Sequence, residues 1–161
     1  RYEFAYRLKQ DFPHRVIVVN GGITDNLQIA QHLTQVDGVM LGREAYYRPW
    51  LMTAWDAQFY GDPNTLSERE AIEEAMVLYM ERAQVEDGCP WYAIARHMLG
   101  LYHGQRGARL WRQVWSDHRL KPLSPREVWR IAREALARGA REHSQPIGHH
   151  DRLETASSER V

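Results

Sequence analysis

The sequence predicts an α/β chain: the closing strand–helix units of a (β/α)8 barrel, followed by an all-helical bundle. Two apolar runs that end in glycine carry the first half, Val16-Ile17-Val18-Val19 into Asn20-Gly21-Gly22 and Gly38-Val39-Met40-Leu41 into Gly42-Arg43. Four amphipathic helical patterns beyond Pro49 carry the second. A strand that ends in glycine and hands over to a helix exposes backbone N–H groups at the helix's positive end, a seat for a phosphate. Two such seats on neighbouring strands, one helix apart, form the phosphate grip found after the last two strands of such barrels.

Taken in order, Tyr2 to Phe12 sets Phe4, Leu8 and Phe12 at helical spacing, and Pro13 stops the pattern. Val16 to Val19 reads as a strand apolar on both faces, as buried parallel strands are. Asp25 caps the next helix with Gln28 three positions on, and Leu27, Ile29, Ala30 and Leu33 give it an apolar side. Val36-Asp37-Gly38 returns the chain to the second strand. Helix, strand, helix, strand at this spacing is the rhythm of a parallel sheet with right-handed crossovers.

Trp50 to Asn64 mixes aromatics and turn residues without clear periodicity and reads as a connector. Ser67 with Glu70 forms a capping box that opens a helix with Ile72, Ala75, Met76, Tyr79, Met80 and Ala83 on one face, ended by Asp87-Gly88. Trp91 to Tyr102 and Ala108 to Trp115 follow as helices. Ser124-Pro125-Arg126-Glu127 combines a cap, a proline at the first helical position and the reciprocal glutamate, starting a helix that runs to Gly139. Beyond Ala140 the apolar pattern fails, as in a disordered tail. The expected units are 1–50 (barrel strands), 51–65 (connector), 66–138 (helical domain) and 139–161 (tail).

The 161 residues suffice for one ordinary domain or two small pieces, and the chain opens at Arg1 inside a helical pattern, as a fragment would. Net charge is zero, but its distribution is uneven. Asp56 to Asp87 is mainly acidic, whereas Arg96 to Arg138 is mainly basic. The basic stretch is either a solvated helix surface or a footprint for a polyanion. The single cysteine, Cys89, excludes an intramolecular disulfide and predicts a reducing compartment. With no basic–apolar–small leader and no bilayer-length apolar run, a cytoplasmic protein with no membrane partner is expected. His143, His149, His150 and Asp151 lack the spacing of a metal site, and none is expected.

Four motifs occur in order: Asn20-Gly21-Gly22-Ile23; Val36 to Arg43; Arg96-His97-Met98-Leu99-Gly100-Leu101-Tyr102-His103-Gly104; and Gly107-Ala108-Arg109-Leu110-Trp111-Arg112. From about Tyr2 to about Leu136 the chain resembles the C-terminal part of a tRNA-dihydrouridine synthase of the bacterial A subfamily. The two helical motifs carry most of that specificity. The resemblance implies an FMN-dependent oxidoreductase that reduces uridine in the tRNA D-loop, with NADPH recharging the flavin. It implies an N-terminal barrel holding FMN, a C-terminal helical domain gripping tRNA rather than DNA, and a monomer.

Carried over by residue, Asn20, Gly21 and Gly22 line the FMN phosphate and Gly42 and Arg43 complete the seat; glycine admits close approach and the guanidinium adds a forked, permanent charge. Read without the resemblance, Gly21-Gly22 is first a tight turn and Arg43 a surface salt bridge; with it, the phosphate role is expected. For tRNA, Arg109 and Arg112 share a helix face, and Arg96 and His97 open the neighbouring motif. Arg96 and His97 also fit a structural role at the Gly104-to-Gly107 turn, and Trp111 and Trp115 read as core. The family's catalytic cysteine lies in a Gly-Cys-Pro motif on an earlier barrel loop. Gly88-Cys89-Pro90 repeats those letters inside the helical half, where it reads as a helix terminus. No catalytic residue is therefore expected here, and the chain alone is expected to be inactive. The alternatives are a non-catalytic RNA-binding module with a vestigial barrel remnant, or another phosphate-binding barrel whose appendage binds protein.

Overall fold

The structure, a computed structural model, describes residues 1–63 and 68–142. It is mostly helical, with one small parallel sheet. Helix α1 (Glu3–Asp11) comes first, and its Lys9 closes the following turn. The Lys9 ammonium donates to the carbonyls of Pro13 and Arg15 and pairs with Asp37 at 2.8 Å. Strands β1 (Val18–Asn20) and β2 (Gly38–Met40) run parallel in the register Val18↔Gly38, Val19↔Val39 and Asn20↔Met40. Helix α2 (Asn26–Leu33) forms the crossover between them.

Two expectations for this half need correction. Only Val19 of β1 is buried, while Val16 is 78% exposed and Val18 is exposed. The run is apolar on both faces, but one neighbouring strand and one helix cover only one of them. On α1, Phe4, Leu8 and Phe12 are exposed, whereas Tyr2, Ala5 and Tyr6 pack on the core of Val19, Ile23, Ile29 and Val36.

Past β2, helix α3 (Arg43–Tyr47) leads into a 3-10 helix (Pro49–Ala54) and a π-helix (Asp56–Tyr60), where an irregular connector is expected. The aromatics here show no single period because they face two cores. Trp55 and Phe59 pack on the cluster around Val19, whereas Trp50 packs on the cluster around Trp111. The Trp55 indole fixes this segment by donating to Asn26 Oδ1 at 2.8 Å.

The second core is built by α4 (Arg69–Glu86), α5 (Trp91–Ala95), α6 (Ala108–Trp115) and α7 (Pro125–Glu142) around Val77, Met80, Trp111, Trp115 and Val128. Ser67 lies outside the described residues; Glu70 pairs with Arg133 instead. Ala75 and Tyr79 of the expected apolar face are exposed, and Glu73 and Val77 are buried in their place. The face is rotated because α4 packs mainly on α5 and α7.

The expected Trp91–Tyr102 helix ends at Ala95. From there the amides of Met98, Leu101, His103 and Gln105 bond three residues back, winding a chain of tight turns to Gly107. Gly100 is the physical reason: a β-carbon there would land on the Tyr47 carbonyl, so this segment is pressed against the end of α3. Helix α7 runs past Gly139 to Glu142 because Gly139 packs directly on the Gly107 Cα. Its start is as expected, with Ser124 and Glu127 capping each other reciprocally.

Candidate functional site

The two glycine turns meet. Asn20, Gly21, Gly22, Ile23 and Thr24 from the end of β1 and Met40 to Glu44 from the end of β2 line one cleft of about 260 Å³. Parallel pairing brings both strand ends to the same edge, so turns about twenty residues apart in sequence face a common space. Gly21 and Gly22 hold φ of 111° and 72°, left-handed values that disfavour any side chain. Tyr2 pins the first turn by donating its hydroxyl to the Gly21 carbonyl, and a β-carbon on Gly22 would crowd that hydroxyl. At Gly21 and Gly42 a β-carbon would meet nothing within 4 Å, so the backbone there borders open space. Among the described residues no hydrogen bond occupies the N–H groups of Gly21, Gly22 or Gly42. Arg43 is exposed beside them and, among the described residues, has no carboxylate partner.

The seat differs in one respect from two helix ends side by side. α2 begins four residues after Gly22, and its first turn is already occupied, the Asp25 carboxylate accepting the Gln28 N–H at 2.8 Å. The first half of the cleft is therefore a glycine turn, and only the second half, Gly42-Arg43, opens directly into a helix. Arg48 braces the far wall by donating to the Thr24 carbonyl at 2.8 Å while pairing with Glu44.

The basic residues fall into two groups. Arg126 pairs with Glu81 at 3.2 Å, and Arg133 pairs with Glu70 at 2.5 Å and Glu73 at 3.4 Å. Part of the charge reversal along the sequence is thus a zipper between α4 and α7. Arg109 and Arg112 remain exposed on α6, and among the described residues no carboxylate pairs with either. Arg96 and His97 do not hold the Gly104-to-Gly107 turn. The Arg96 Nε donates to His97 Nε2 at 3.1 Å, which leaves the imidazole proton on Nδ1, 3.0 Å from the Tyr46 hydroxyl. His97 therefore ties the turn segment to α3, and Arg96 lies apart from the glycine cleft.

Sequence reasoning missed the most buried polar group. Glu73 is 0% exposed, accepting from Trp111 Nε1 at 2.5 Å and the Tyr102 hydroxyl at 2.8 Å, with Arg133 beside it. Burial pushes its carboxyl above the ordinary glutamate value, against the three donors, which favour the charged form. The same burial, with Glu73 adjacent, pushes the Tyr102 hydroxyl upward as well. Cys89 sits at a helix terminus: Gly88 is left-handed, and the amides of Asp87 and Cys89 both return to the Ala83 carbonyl. Among the described residues no group of His, Cys, Asp and Glu could hold a metal; His143, His149, His150 and Asp151 lie outside them. No described helix is long and apolar enough to cross a membrane.

Comparison with known proteins agrees in one direction. The family described as Dihydrouridine synthase (Dus) matches residues 1–134. A tRNA-dihydrouridine(20/20a) synthase of Synechocystis is 42% identical over 135 residues, which is 84% of this chain and 40% of that protein. Proteins of the same name from Vibrio parahaemolyticus and Salmonella typhi are each 42% identical, over 85% and 84% of this chain and 41% of their own length. The chain therefore spans about 40% of the length of the curated relatives it matches.

Proposed function

The chain belongs to the dihydrouridine synthase family, and we propose on that footing that it forms the C-terminal portion of an FMN-dependent tRNA-dihydrouridine synthase. The whole protein reduces uridine to dihydrouridine in the tRNA D-loop, with NADPH as reductant, as a cytoplasmic monomer. In this reading residues 1–50 are the closing strand–helix units of its barrel, 51–65 a connector and 66–138 the helical tRNA-binding domain.

One observation carries the reading: Asn20-Gly21-Gly22 and Gly42-Arg43 border the same cleft. The donor set fits a phosphate monoester. Among the described residues nothing bonds the glycine amides and no side chain blocks the main chain at Gly21 or Gly42, and Arg43 adds a forked cation. When bound, FMN supplies the hydride for the uracil ring. The residues of this chain hold and orient: the glycine amides and Arg43 fix the phosphate, and Tyr2 keeps the first turn in its left-handed shape. Arg109 and Arg112, with Arg96 and His97 on the neighbouring segment, meet tRNA phosphates, which position the substrate without reading its sequence.

The test is a protein extended upstream to the length of the relatives. It is expected to purify yellow and to reduce uridine in tRNA, while the 161-residue chain alone is colourless and inactive. A colourless full-length protein, or uridine reduction by the short chain unaided, overturns the reading. The alternative, a non-catalytic RNA-binding module with a vestigial barrel remnant, requires a colourless full-length protein that still binds tRNA.

A further inference from the structure

A second cleft, of about 270 Å³, opens between α5 and the turn that follows α6. Beneath it lie the buried Trp91 and Trp115, which meet edge to face at 5.8 Å, and the exposed Tyr92 packs against Trp91 at 5.7 Å as the accessible aromatic of the cleft. Its rim carries two cations, Arg96 and Lys121, with the His118 ring beside them. The Lys121 ammonium lies 4.3 Å from the centre of the Tyr92 ring. One carboxylate also lines the cleft, Asp117, but Arg119 grips both of its oxygens, at 3.0 and 2.7 Å, and offsets its charge. Among the described residues neither Arg96 nor Lys121 has a carboxylate partner. Trp115, 3% exposed, keeps a buried indole N–H that finds no acceptor among the described residues.

We infer that this cleft seats one unstacked nucleotide of an RNA single strand, its base against Tyr92 and its phosphate at Arg96 and Lys121. Aromatic faces beside unpaired cations are the combination single-stranded nucleic acid selects, since every base offers a face for stacking and every nucleotide a charge. Simple polyanion binding would need the cations but not the aromatic face. Duplex RNA keeps its bases stacked and could use only the rim. The inference rests on the proposed tRNA role and adds to it a place where a loop or end nucleotide is held, separate from the glycine cleft.

The experiment uses the full chain and a fluorescein-labelled tRNA transcript read by anisotropy, with poly(U) and the duplex poly(I)·poly(C) as competitors. Tyr92→Ala and Lys121→Ala are each expected to weaken tRNA binding about tenfold. Tyr92→Ala is expected to blunt competition by poly(U) to the same degree while leaving competition by the duplex unchanged, whereas Lys121→Ala, which removes a rim charge, is expected to blunt both. Tyr92→Phe keeps the stacking face and is expected to bind as the parent does, which separates a lost contact from a lost fold. If Tyr92→Ala and Lys121→Ala bind both competitors like the parent while Arg109→Ala with Arg112→Ala does not, the cleft is no nucleotide seat although the tRNA role stands. If the parent chain binds neither tRNA nor poly(U), both fall.

Discussion

The Trp111 indole donates to the Glu73 carboxylate at 2.5 Å in the interior of the helical half, the second oxygen of that carboxylate being held by Tyr102. One side chain of α4 thereby fastens α6 and the turn segment before it, and Arg133 adds α7. Each donor is satisfied only while all the elements are in place, so this polar cluster ties packing to one arrangement of the helices. Trp111→Phe retains most of the buried ring but leaves a Glu73 oxygen without its donor. A loss of about 1–3 kcal/mol in the urea unfolding free energy is expected; an unchanged midpoint would show that the hydrogen bond adds nothing.

The same carboxyl sets a dependence on pH. Its folded-state value is raised above the ordinary 4.5 by burial. The folded protein therefore holds the proton more tightly than the unfolded chain, and Glu73's contribution to stability falls as pH rises above 4.5 toward the folded value. Glu73→Gln removes this slope. The gap in melting temperature between parent and variant is expected to change across that interval, and two parallel curves would contradict it.

Asp37, Asp117 and Glu127 act in the opposite sense. Lys9 lowers the Asp37 carboxyl, Arg119 brings Asp117 to about 2, and Ser124 lowers Glu127. Their contributions are complete above the ordinary carboxylate values and fade as pH falls through the depressed ones. Lys9→Ala, which leaves Asp37 with only its Ile17 N–H bond and removes the donor to the carbonyls of Pro13 and Arg15, is expected to make unfolding less sensitive to acid in thermal melts below the ordinary 3.8 of Asp37.

Gly107 and Gly139 let α6 and α7 approach until main chain meets main chain. In Gly139→Ala, alanine's better helix propensity, worth up to about 1 kcal/mol, opposes a collision with the Gly107 Cα, which is backbone and cannot swing aside. The collision wins, and a net loss of about 1–3 kcal/mol is expected in chemical denaturation. A stabilised variant would mean that the two helices separate freely.

Arg109 and Arg112 are expected to act through charge alone. Converting both to alanine should weaken tRNA binding and lower the slope of log affinity against log salt by about 1 per lost phosphate contact. An unaltered slope would remove them from the interface. In the full-length protein Arg43→Ala is expected to lower flavin occupancy, read from the visible absorbance of the purified protein, with the fold retained by circular dichroism.

Much of this architecture is legible in the sequence because its signals are local. Short apolar runs that lead into glycine mark both strand ends, and Ser124 with Glu127 announces α7. What is not legible depends on distant partners. Glu73 looks like one more acid on a solvated face, and the groups that make it a core residue, Tyr102, Trp111 and Arg133, lie 29, 38 and 60 positions away. The segment after Ala95 carries Gly100 and Gly104, which weaken a helix, but the Tyr47 carbonyl pressed on Gly100 comes from a residue 53 positions away. The glycine cleft was readable as two turns, but Asp25 capping its own helix was not readable as the withdrawal of α2 from the seat.

β1 and β2 are three residues long, and each has a single neighbour in the sheet. Their outer rims consequently present amide and carbonyl groups in a fixed sequence of spacings, like the teeth of a rack. Any strand added there must engage in step with Val18 or Met40 and, if parallel, must come from a crossover rather than a hairpin. A handful of backbone groups thus dictates direction and phase to whatever polypeptide completes the ladder.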